Sequence, residues 1–154
     1  MYPIRPDQVD IESLQKYLDS WTESQAAEAV NCMPFVTYIL DWIHGLEPDE
    51  YMPSFACVGR ISFAKRLVDF YSKRWPGSFV PAAKHNIHRI AKCGDALLIN
   101  QNKGYGHGVF VGPDGMLWEA NHRFRNRIRS YSWAKFNYNS RVQVYRPKAC
   151  EVFH

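Results

Sequence analysis

"HGVFVGPDGMLWEAN", residues 107 to 121, is two short runs rich in β-formers, interrupted at Gly-Pro-Asp-Gly. The pattern predicts a β-hairpin, with residues 112–115 as the turn between two strands. A histidine opens the first strand, and a glutamate lies near the end of the second. Residues on one face of an antiparallel pair are neighbours, so Glu119 falls opposite the His107 region, and Asn121, two positions on, shares its face.

Outward from the hairpin the same character continues. "DALLI" (95–99), "FRNRIRSYSW" (124–133) and "RVQVYR" (141–146) are short, rich in β-formers and separated by Gly, Asn, Pro and Asp. Before residue 80 the period changes. Ile11, Leu14, Tyr17, Leu18 and Trp21 fall at helical spacing within residues 10–28. Asn31 can cap a second helix and Pro34 suits its first turn. Phe35, Tyr38, Ile39, Trp42 and Ile43 give it a broad apolar face, and Gly45 ends it. "GLEPDEYMPS" (45–54) reads as a loop, and "ISFAKRLVDFYSKRW" (61–75) as a third helix stopped by Pro76-Gly77. The expected fold is α+β, with N-terminal helices packed on a C-terminal antiparallel sheet.

The chain has 154 residues, and we expect one domain over 1–154. Apolar residues make up 46% and aromatics 15%, which excludes a disordered chain. A net charge of +4 favours an anionic substrate but does not mark a nucleic-acid binder. There is no run of about 18 apolar residues, so no membrane insertion is expected. "MYPIRPDQVDIESLQKYLDSW" has no basic n-region, apolar core or cleavage site. The expectation is synthesis in the cytoplasm without a signal peptide. The four cysteines, Cys32, Cys57, Cys93 and Cys150, form no C-x-x-C pair and fit reduced thiols, although two bridges remain arithmetically open.

Cys32 heads the apolar run "NCMPFVTYIL" (31–40), where the start of a helix would stabilise a thiolate. A lone cysteine on a helix is usually a small core residue. A nucleophilic one needs a histidine base, and the chain has six histidines. His107 has glycine on both sides, which leaves its ring uncrowded, and a strand behind it. Glu119 can orient that ring and Asn121 can assist, which completes a set for acyl transfer. The ordered set turns the reading of Cys32 toward a nucleophile, and Cys57, Cys93 and Cys150 are read as structural.

Other motifs are less specific. "HNIHRIAKC" (85–93) brings His85, His88 and Cys93 close, but it lacks a fourth zinc ligand and suits a surface or core-edge segment. No metal or cofactor is expected. Arg123, Arg125, Arg127 and Arg129 alternate along one segment, either as a solvated strand face or as a groove for an anionic partner. Trp118 is either core or a wall of the substrate cleft. The oxyanion donor is the amide of Cys32 or the side chain of Gln25.

Taken in order, a cysteine opening a helix, Gly94-Asp95 before a strand, a Gly-His opening the next strand, and Glu119-Ala120-Asn121 past a turn resemble the NlpC/P60–CHAP superfamily. The likeness runs from about residue 31 to 122, with Met33-Pro34 where that family usually has small residues. It implies a papain-like fold and a cysteine peptidase or amidase with Cys32, His107, Glu119 and Asn121 as catalytic group and no cofactor. It also implies peptidoglycan peptides as substrate, with Trp118, Arg123 and Arg125 as candidate substrate contacts. Without an export signal, such an enzyme would be an antibacterial effector or a phage lysis or tail enzyme. It would act in the periplasm or cell wall after delivery by a secretion system or phage, and an effector would have a cognate immunity protein. The alternatives are a toxin-type protease or deamidase acting on a host protein, and a non-catalytic phage structural module of the same fold.

Overall fold

Asp10 and Ser13 close the start of the first helix on each other. The Ser13 amide donates to Asp10 Oδ1 at 2.8 Å and the Asp10 amide to Ser13 Oγ at 3.0 Å, which satisfies two otherwise orphaned donors. The computed structural model describes residues 3–22, 32–48, 72–101, 105–121, 128–138 and 141–154. Helix α1 (Ile11–Thr22) buries Leu14, Tyr17, Leu18 and Trp21, the residues its spacing selects. Helix α2 (Cys32–His44) buries Phe35, Val36, Ile39, Leu40 and Ile43.

The two helices run antiparallel. Tyr17 stacks on Trp42 with ring centroids 4.3 Å apart, and one turn further along α1 the edge of Trp21 meets Phe35 at 5.2 Å. Gly45, at φ 69°, takes the left-handed conformation, and the Leu46 amide reaches back to the Asp41 carbonyl at 2.9 Å. That conformation stops α2, as glycine allows. The Asn31 cap, residues 23–28 of the first predicted helix and residues 61–71 of the third lie outside the described residues. Residues 72–74 are helical.

Six strands follow: β1 (Gly77–Val80), β2 (Ala96–Gln101), β3 (Tyr105–Val111), β4 (Leu117–Ala120), β5 (Ile128–Tyr131) and β6 (Arg141–Pro147). They form one antiparallel sheet in the order β1-β6-β2-β3-β4-β5. The α+β class and the helices-then-sheet order are as expected. The hairpin is present too: Pro113–Gly115 makes a tight turn between β3 and β4, with Asp114 and Gly115 both at positive φ.

Register decides which side chains share a face. Ala96 lies opposite both Phe110 and Tyr145, and Leu97 opposite both Val109 and Val144. The first set packs with α1 and α2 in one core cluster. The second set belongs to another cluster, with Ile87 from the short helix α3 (Ile87–Ile90), Tyr131, and the flanking Val80, Ala82, Trp133, Phe136 and Tyr138. The sheet is therefore covered on both faces, which is why "ALLI" in β2 is apolar throughout instead of alternating.

Pro76-Gly77 does more than stop a helix. Gly77 begins β1, and a Cβ there would sit 2.3 Å from the Arg146 carbonyl oxygen of β6. Asp41 of α2 ties that corner down by accepting from Arg74 Nε at 2.8 Å and Trp75 Nε1 at 2.9 Å. The Tyr145 hydroxyl donates to the Trp75 carbonyl from the sheet side. The Gly94-Asp95 pair turns the chain into β2. Asp95 receives both the Nε and an NH2 nitrogen of Arg146, at 2.9 and 2.8 Å, and the Lys92 amide at 2.8 Å. No described helix is long and apolar enough to cross a membrane.

Candidate active site

His107 sits opposite Ile99 in the β2–β3 ladder and on the same face as Val109 and Val111. It is 7% exposed. Its Nε2 lies 2.6 Å from Oε2 of Glu119, which is fully buried on β4. Two further groups, neither assigned a place beside His107 from the sequence, complete the cluster. Arg129 of β5, directly opposite Glu119, donates from Nε to Glu119 Oε1 at 2.7 Å. Tyr138 donates its hydroxyl to Glu119 Oε2 at 2.7 Å, and that hydroxyl is 2.9 Å from His107 Nε2.

Burial alone would raise the Glu119 carboxyl. The hydrogen bond and charge of His107, then the bonds from Tyr138 and Arg129, outweigh it and hold the carboxyl at about 2. An ionised carboxylate only accepts hydrogen bonds. His107 must therefore carry a proton on Nε2, and in the neutral ring the lone pair is on Nδ1. Among the described residues no hydrogen bond reaches Nδ1. Burial, then the bond and charge of Glu119, push the Tyr138 hydroxyl above its ordinary range, so it stays a donor at all working pH values.

The cluster occupies a seam. Among the described residues, β3 and β4 pair only at Phe110–Trp118 and Val111–Leu117. Beyond that point β3 stays with β2 as far as Tyr105, and β4 stays with β5 as far as Ala120. The two strands part, and the His107–Glu119 bond bridges them.

Cys32 is the first residue of α2, half-buried, and packed against the helix-side cluster. It thus starts from the face of the sheet opposite to His107. Helix α2 packs on β3 and β4, the two strands that part. Among the other described cysteines, burial and then Asp95 and Asp114 push the Cys93 thiol up to about 12. Burial pushes the Cys150 thiol higher still. Neither is a thiolate near neutral pH.

The remaining sites divide. Asn121 follows β4 and is half-buried. Trp118 is 3% exposed and lies in the helix-side core. Alternation along β4 puts it on the face away from His107, in the cluster against which Cys32 packs. Arg123, Arg125, Arg127, His122, Gln25 and Cys57 lie outside the described residues. Arg129 is bonded to Glu119, with its guanidinium 4.4 Å from the centre of the Tyr131 ring. His85 and His88 are exposed, and His44 bonds the Leu40 carbonyl through Nδ1 at 2.7 Å.

What the geometry defines is a class: an α+β chain whose antiparallel sheet holds a buried histidine–glutamate pair on one face and a cysteine-headed helix on the other. Compared with family models, curated proteins and solved structures, the chain has no match.

Proposed function

We propose that the chain is a papain-like cysteine hydrolase of the NlpC/P60–CHAP kind that its motifs resemble. One observation carries the reading: His107 Nε2 bonds the ionised Glu119 at 2.6 Å, which leaves Nδ1 as the basic nitrogen. In the reaction, Nδ1 takes the Cys32 thiol proton and the sulfur adds to an amide carbonyl carbon. The tetrahedral oxyanion is received by backbone amides at the start of α2, with the Gln25 side chain as the other candidate donor. Collapse breaks the C–N bond as the imidazolium protonates the departing amine, leaving a thioester. Water, deprotonated by His107, then releases the acid and restores the thiol. Asn121, just past Glu119, assists in holding the ring.

The amide substrate is assigned to peptidoglycan peptides by the resemblance alone. So are the action in the periplasm or cell wall, delivery by a secretion system or phage, and a cognate immunity protein. Digestion of purified sacculi, with mass analysis of the released peptides, tests that substrate. Cleavage or deamidation of a host protein with sacculi left intact would select the toxin alternative.

A second reading is favoured by the opposite placement of α2 and His107 on the sheet. In it the His107–Glu119–Arg129 row is a buried polar staple between strands, in a non-catalytic structural module. The rate of Cys32 alkylation against pH, in the wild type and in His107→Ala, separates the two. A paired thiol gives a step at lower pH in the wild type than in the variant. Superimposable curves select the staple.

A further inference from the structure

Glu119 has more donors than an orienting carboxylate requires. Arg129 holds one oxygen, and Tyr138 shares the other with His107. Charge that a carboxylate gives to a guanidinium and a phenol is not available to an imidazolium, so these donors compete with His107 for the same anion. The competition also restrains geometry. With Oε1 fixed by β5 and Oε2 fixed by the segment before β6, the carboxylate cannot rotate, and the ring bonded to it keeps one orientation.

We propose that Arg129 and Tyr138 are positioning residues that act on His107 through Glu119, moderating its basicity and fixing the proton on Nε2. The catalytic consequence rests on the cysteine-hydrolase reading, while the effect on the imidazole does not. Among the described residues, the titratable groups gathered here are Glu119 from β4, Arg129 and Tyr131 from β5, and Tyr138 from the segment before β6. From β2 the facing residue is the apolar Ile99, and β6 contributes Val142 and Val144 to the same cluster. Tyr131 lies under the Arg129 guanidinium, and burial followed by the Glu119 charge keeps its hydroxyl protonated.

The experiment is a nitrogen-15 NMR titration of His107 in the full chain, comparing wild type with Arg129→Gln, Arg129→Lys and Tyr138→Phe. The wild-type neutral ring is expected as the Nε2–H tautomer. Arg129→Gln removes the competing charge and is expected to raise the His107 midpoint by about one unit. Arg129→Lys, which keeps the charge, should stay near wild type. Tyr138→Phe should give a smaller rise and admit some Nδ1–H tautomer. Midpoints and tautomers unchanged in both Arg129→Gln and Tyr138→Phe overturn the proposal. So does a wild-type neutral ring protonated on Nδ1, which needs no variant to fold. A merely structural role for Arg129 would lower the melting temperature without moving the midpoint. If the midpoints move as stated but no amide is hydrolysed, the inference stands and the hydrolase reading fails. If hydrolysis occurs, the alkaline limb of kcat/KM should move upward with the NMR midpoint.

Discussion

Glu119 and Arg129 stand directly opposite each other on β4 and β5, and the guanidinium Nε donates to the carboxylate at 2.7 Å. The carboxylate is fully buried and belongs to a fold whose two neighbouring strands part beside it. Its ionisation is therefore linked to folding.

The Glu119 carboxyl goes from an ordinary value of 4.5 to about 2 in the folded chain. A depressed carboxyl stabilises the native state fully above the unfolded value, and the contribution is lost as pH falls through 4.5 toward 2. Glu119→Gln should lower stability near neutral pH by about 2 kcal/mol. It should also flatten the acid side of the stability curve. Urea melts from pH 7 to pH 3 check both, and an unchanged acid slope in Glu119→Gln would remove Glu119 as its source.

On the hydrolase reading, Cys32→Ala abolishes turnover and leaves the fold intact. His107→Ala should fall almost to that background, by about 100- to 10,000-fold, because no group remains to move the proton. Glu119→Gln should lose less, and should add almost nothing on top of His107→Ala, because the members act as one unit. Additive losses in the double variant would break that link.

Cys93 and Cys150 are expected to resist alkylation at neutral pH in the folded chain, since burial raises both thiols. In a Cys57→Ala background, brief treatment with iodoacetamide should give a single adduct on Cys32, read by peptide mass mapping. Modification of Cys93 at a comparable rate would contradict its placement.

Gly112→Ala probes the packing under the hairpin. The added methyl would lie 2.8 Å from the Trp118 ring and 3.3 Å from Leu18 Cδ1 of α1. Both neighbours are fixed in the core, so the substitution should cost about 1–3 kcal/mol. A melting temperature equal to wild type would show that the ring can give way.

Much of this architecture could be read from residue spacing. The apolar faces of α1 and α2 repeat at helical intervals, and the Gly-Pro-Asp-Gly turn fixes a hairpin, so alternation alone brings Glu119 to the His107 side. Other features have no local signal. "ALLI" is apolar at every position, so nothing in it says which residues face the helices. The opposite placement of Cys32 and His107 comes only from register with β3 and β6. Strand β1 hid behind a Pro-Gly that reads as a stop. Tyr138 lies in the irregular stretch "KFNYN" and reaches His107 through Trp133 and Phe136 packing against the sheet, a tertiary effect. Arg129 was visible only as one of four alternating arginines. Its place opposite Glu119 follows from the β4–β5 register, which the sequence does not disclose.

The seam between β3 and β4 has a mechanical meaning. The imidazole belongs to the β2–β3 side and the carboxylate and its guanidinium to the β4–β5 side, and among the described residues two residue pairs join β3 to β4. Where the described pairing of β3 with β4 ends, the 2.6 Å contact between His107 and Glu119 joins the two halves through side chains.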